Sequence, residues 1–122
     1  MRLLGIDYGK RKIGLAISEG RLAEPWKVIR YKDTRILSEQ LQRIIKENDV
    51  EKVVVGISEG RMAEESKKFA KRIGAETFDE TLSTHDAQRV SIEMGIKRKK
   101  RKGMEDAYAA ALILQGYLDS AD

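Results

Sequence analysis

The sequence predicts an α/β fold, a mixed five-stranded sheet with helices on its faces. Three observations carry that expectation. Residues 2–31 hold three strand-like runs separated by short turns, which read as an antiparallel meander. From residue 34 onward, helical periodicity alternates with short apolar runs, the pattern of βαβ units. One of those runs, Val53-Val54-Val55, is wholly apolar and β-branched, as a strand buried on both faces requires.

Taken in order, the first strand covers residues 2–8, and its apolar run ends on the carboxylate of Asp7. A basic, glycine-containing turn, Gly9-Lys10-Arg11, leads into a second strand over 12–18. The third covers about 24–31, and Pro25 near its start fits an edge strand, where a missing N–H costs nothing. Asp33 and Thr34 offer an N-cap, and Ile36, Leu37, Leu41, Ile44 and Ile45 follow at helical spacing as the inward stripe. The valine strand closes on Gly56-Ile57-Ser58-Glu59-Gly60. A second helix over 62–73 turns Met62, Phe69, Ala70 and Ile73 inward and stops at Gly74. A short strand over 76–78 meets the acidic pair Asp79-Glu80. Ser83 or Thr84 caps a third helix that ends near Gly95. A last helix over 104–118 buries Ala107, Ala110, Ala111, Leu114 and Leu118, its small residues allowing close approach to a sheet. Right-handed crossovers put the later strands parallel to the first, on its far side from the second. Their C-terminal ends then share one rim, where open sheets carry their sites.

With 122 residues the chain is expected to form one domain, 1–122, with a real core. Charged residues make up 36%, and a net charge of +4 with clustered bases favours a polyanionic partner. Cysteine is absent, which excludes a disulfide framework and thiolate metal sites. The N-terminus enters a strand directly and no apolar run is long enough for a bilayer, so a cytoplasmic protein without a membrane partner is expected.

The acids at the proposed rim point to chemistry. Asp7, Glu80 and Asp106 come from three different elements, as oxygen ligands for Mg²⁺ or Mn²⁺ must if two ions are to be held. Such ions activate a water and stabilise the leaving oxygen of a phosphodiester. Asp79 and Glu59 stand beside this set as alternatives. Lys10, Arg11 and Lys12, together with the unbroken run Lys97, Arg98, Lys99, Lys100, Arg101 and Lys102, supply counter-charge for a nucleic-acid backbone. Aromatic residues are only 6%, so recognition by shape and backbone fits better than base stacking. His85 reads as an exposed first-turn residue, Ser83-Thr84 as a cap, and Trp26 as core or sheet-face packing. Tyr8 and Lys10 are candidates to touch substrate, with packing the other reading of Tyr8.

Several of these pieces together resemble the YqgF (RuvX) family. They are Ile6-Asp7-Tyr8-Gly9 with Ile13-Gly14-Leu15-Ala16, then Val53-Val54-Val55-Gly56, then Phe78-Asp79-Glu80-Thr81-Leu82-Ser83-Thr84. Lys99-Lys100-Arg101-Lys102-Gly103 follows, through Asp106-Ala107 to Ala110-Ala111. The resemblance spans nearly the whole chain in family order. It implies the ribonuclease-H-like fold of the RuvC resolvases and a metal-dependent nuclease. The substrate it implies is the 5′ end of pre-16S ribosomal RNA or a Holliday junction, and its catalytic acids carry over onto Asp7, Glu80 and Asp106. Two positions depart from the pattern. Ser58-Glu59 stands where the family has proline, and Thr81 stands where it has arginine.

Two other classes compete. An actin-like or sugar-kinase-like phosphate-binding module also opens with an Asp-x-Gly hairpin, but its nucleotide site needs two lobes. A non-catalytic nucleic-acid binder leaves the converging acids repelling phosphate, unless a cation sits between them. A monomer or weak homodimer is expected, since cutting a symmetric four-way junction calls for two copies.

Overall fold

The computed structural model describes residues 1–57, 60, 62–79 and 103–120. Their order is β1 (Leu3–Tyr8), β2 (Lys12–Ser18), β3 (Ala23–Arg30), α1 (Thr34–Glu47), β4 (Lys52–Ile57), α2 (Met62–Ile73), β5 (Glu76–Asp79) and α3 (Glu105–Ser120). The helix expected over 83–95 and the basic run 97–102 lie outside the described residues. The five strands form one sheet in the order β3-β2-β1-β4-β5. β1–β2 and β2–β3 are antiparallel, whereas β1–β4 and β4–β5 are parallel. The meander and the far-side placement of the later strands are as expected.

β1 is central, and its alternation assigns the two faces. Leu4 and Ile6 are fully buried in a core with Leu37 and Leu41 of α1 and Phe69, Ala70 and Ile73 of α2. Leu3, on the other face, belongs to a second core with Val54, Phe78 and Ala110, Ala111 and Leu114 of α3. Burial of each large aliphatic side chain stabilises the fold by about 1.5–3 kcal/mol. β4 feeds both cores, with Val53 and Val55 to one side and Val54 to the other.

α3 lies directly on the sheet. A Cβ at Gly5 would fall 2.7 Å from Leu114 Cβ, and one at Gly14 would fall 1.8 Å from the carbonyl oxygen of Asp106. Only residues without a side chain let helix and strands approach this closely. The helix is buried more widely than its alanine stripe predicts. Tyr108, Ile113, Gln115 and Gly116 are buried as well, while Leu118 is half-buried. Gln115 ties the helix to the meander: its Oε1 accepts from Ala23 N at 2.9 Å and its Nε2 donates to Arg21 O at 2.8 Å.

Pro25 sits in edge strand β3, beside the bulge at Leu15/Ala16. Asp33 caps α1, its Oδ1 accepting from Arg35 N at 2.8 Å. The inward stripe of α1 is narrower than expected. Leu37 and Leu41 are buried, Ile44 and Ile45 are half-buried, and Ile36 is 59% exposed. Five apolar residues span more of the helix circumference than one sheet face covers. Trp26 is half-buried against the first core with Lys27 Nζ 4.4 Å over its ring. Among the described residues no helix is long and apolar enough to cross a membrane.

Candidate active site

The C-terminal ends of β1, β4 and β5 share one rim, and the N-terminus of α3 comes to the same place. Asp7 is the penultimate residue of β1 and is half-buried. Two positions after Gly5, whose open side meets α3, it lies on the α3 face of the sheet. Its cross-strand partner is Gly14, and the backbone of Asp106 rests on Gly14. Two acids far apart in sequence therefore become neighbours because a glycine between them leaves room. Asp106 occupies the first turn of α3, where the positive end of the helix dipole favours a carboxylate.

Lys12 Nζ stands 3.2 Å from Asp106 Oδ2, in a pair half-open to solvent. The ammonium sets one positive charge on this carboxylate where the strand ends meet. Two oxygen-bearing side chains on one face, with a cation already drawn to one of them, are a donor set suited to Mg²⁺ or Mn²⁺. Among the described residues no group of three or more acidic or histidine side chains could hold a metal.

Asp79 does not join this pair. Asp79 ends β5 beside Ile57 and is exposed. Phe78 before it packs into the α3-side core, so Asp79 turns to the opposite face from Asp7. Glu80, Glu59, His85, Thr81 and the bases Lys97, Arg98, Lys99, Lys100, Arg101 and Lys102 lie outside the described residues.

The β1–β2 turn presents Lys10 and Arg11 to solvent. Tyr31 fixes that turn: its N–H donates to Arg11 O at 3.0 Å and its hydroxyl donates to Gly9 O. Burial pushes the Tyr31 hydroxyl well above the ordinary tyrosine range, and Tyr8 and then the charge of Glu65 act in the same direction. Tyr8 is a packing residue, stacked on Phe69 with centroids 4.4 Å apart and on Tyr31 at 6.3 Å. Sequence reasoning missed Tyr31 and Gly14, because their roles depend on partners distant along the chain.

The profile of the RuvX family, described as Holliday junction resolvase, matches residues 1–120. The chain belongs to the RuvX family. Among its relatives, a protein of Halothermothrix orenii named "Putative pre-16S rRNA nuclease" is 40% identical over 133 residues, covering 98% of this chain and 95% of that one. A protein of the same name from Oceanobacillus iheyensis is 36% identical over 135 residues, covering 98% of each. Of solved structures, RuvC of T. thermophilus in complex with a Holliday junction substrate superposes with a TM-score of 0.62 at 17% identity, covering 98% of this chain and 96% of that one. The resolvase of fowlpox virus, in complex with its Holliday junction DNA, gives 0.57 at 14% identity and 99% coverage of each. These two likenesses establish the fold: this RuvX chain has the ribonuclease-H-like architecture of the RuvC resolvases.

Proposed function

We propose that this RuvX chain, as one domain over residues 1–122, is a metal-dependent nuclease that hydrolyses phosphodiester bonds at the 5′ end of pre-16S ribosomal RNA. The observation that carries the reading is the meeting of Asp7 and Asp106 across Gly14 on one face of the sheet rim. The near full-length relatives named "Putative pre-16S rRNA nuclease" support the substrate. Asp7, Asp106 and Glu80 are the residues proposed to hold two Mg²⁺ or Mn²⁺ ions. Glu80 is chosen over Asp79 because Asp79 faces away from Asp7. Bound there, the ions would supply an activated water and charge stabilisation for the leaving oxygen. The acids orient that chemistry, and Lys12 releases Asp106 when the site loads. Lys10, Arg11 and the bases at 97–102 hold the substrate backbone. The reaction is assigned to the cytoplasm, with a monomer or weak homodimer as the working form.

The description of the family favours one second reading, cleavage of a four-way DNA junction. The deciding experiment incubates the purified chain with pre-16S rRNA and with a four-way DNA junction, side by side, with Mg²⁺, Mn²⁺ or chelator. Cleavage of the RNA at its 5′ side, abolished by chelator, is the expected result. Cleavage of the junction alone moves the assignment to DNA, and cleavage undiminished by chelator removes the metal mechanism.

A further inference from the structure

We propose that the groove between the β1–β2 turn and the start of α1 is a second phosphate-binding surface, which takes the nucleic-acid backbone flanking the scissile bond. The proposal rests on nucleic acid being the substrate of the acid site, and it adds the path by which that substrate leaves it.

The groove has a volume of about 780 Å³, and Lys10, Arg11, Arg30 and Lys32 are among the residues lining it. Among the described residues none of these four cations makes an ion pair. Among the described lining residues the one acid, Asp33, is committed elsewhere: it caps α1 and faces Arg35 at 3.9 Å. Uncompensated cations in a concave space focus a positive potential and draw a polyanion.

One residue pair links the groove to the acid site. Lys12, held to Asp106, is the direct cross-strand partner of Arg30. Like charges placed opposite each other on adjacent strands destabilise a sheet. Asp106 offsets Lys12, and a backbone phosphate is the natural partner for Arg30. Lys12 beside Asp106 is thus joined through Arg30 to the groove that Lys10, Arg11 and Lys32 also line. The surface is preorganised as well, since Tyr31 ties the turn carrying Lys10 and Arg11 to the segment carrying Lys32. Ile36, 59% exposed in the same lining, offers an apolar contact for a sugar or base face.

The test measures binding in chelator, so that cleavage plays no part. The probe is a fluorescently labelled RNA stem-loop with a single-stranded 5′ extension, titrated by anisotropy across a range of KCl. The chain carrying both Arg30→Gln and Lys32→Gln is compared with the unaltered chain. The expected result is a log–log salt slope shallower by roughly 1.4 to 1.8, the loss of two phosphate contacts. The charge-keeping pair Arg30→Lys and Lys32→Arg restores the slope. Removing two exposed charges from α2, by Lys68→Gln and Lys71→Gln, changes it far less. An unchanged slope, an equal change from the α2 pair, or no measurable RNA binding by the unaltered chain overturns the proposal. A reduced slope in a protein that cuts nothing with added metal would leave the groove standing while the nuclease reading fell.

Discussion

Lys12 shows how much depends on a single side chain. Its ammonium holds the carboxylate of Asp106, 3.2 Å away, for which a divalent ion bound as proposed would compete. Replacing it by Met removes the competitor. Because the pair is partly solvated it is worth up to about 1 kcal/mol, so Mn²⁺ affinity measured by calorimetry should rise by up to about fivefold. Unchanged or weaker affinity would mean that Lys12 does not contend for the site. Tyr31 makes a different kind of contribution. Its hydroxyl titrates higher in the folded chain than its ordinary value of 10.0. A raised value contributes stability that is fully present below about pH 10 and is lost as pH climbs through the folded value. Urea midpoints should therefore fall more steeply above about pH 10 in the unaltered chain than in Tyr31→Phe. Parallel curves would contradict the clamp. Gln115 carries a third local test. Gln115→Leu leaves the buried Ala23 N–H without its acceptor, and a loss of about 1–3 kcal/mol in denaturant unfolding is expected.

Among the elements, α3 decides whether there is a site at all. It reaches the rim only because Gly14 has no side chain. Gly14→Ala forces a methyl into the Asp106 carbonyl, and backbone cannot rotate away as a side chain can. A destabilisation of about 3 kcal/mol or more is expected, with weakened Mn²⁺ binding in whatever remains folded. A stable Gly14→Ala chain with ordinary metal affinity would show that the helix start does not depend on this contact. The elements themselves were legible in the sequence. The apolar run of β1 closing on an acid, the three valines of β4, and the small residues of α3 each announce their place through local pattern. Two features were not legible. The outward turn of Ile36 depends on how much of α1 the sheet can cover, which periodicity alone does not state. Gln115, a polar residue in a buried stripe, is explained only by the backbone of β3 and the turn before it, more than ninety positions earlier. Of the candidate site, Asp7 and Asp106 could be picked out by position. That Gly14 joins them could not, because a glycine in a strand has many uses.

At the scale of the whole molecule, the sheet order gathers what the sequence scatters. Parallel β1, β4 and β5 bring their ends to one rim, and α3 returns its N-terminus to that rim beside Asp7. Net charge of +4 then acts locally, through bases on the β1–β2 turn and the β3–α1 connection that flank the acids. On the proposed reading the acids would hold the ions and the bases the strand, so changing either should leave the other measurable. The central claim is that Asp7 and Asp106 hold divalent metal together. The direct measurement is Mn²⁺ binding by calorimetry to the unaltered chain, to Asp7→Asn and to Asp106→Asn, each checked for its thermal melt. The account expects either substitution alone to abolish or sharply weaken binding while the melt persists. Equal Mn²⁺ affinity in all three folded chains would contradict it.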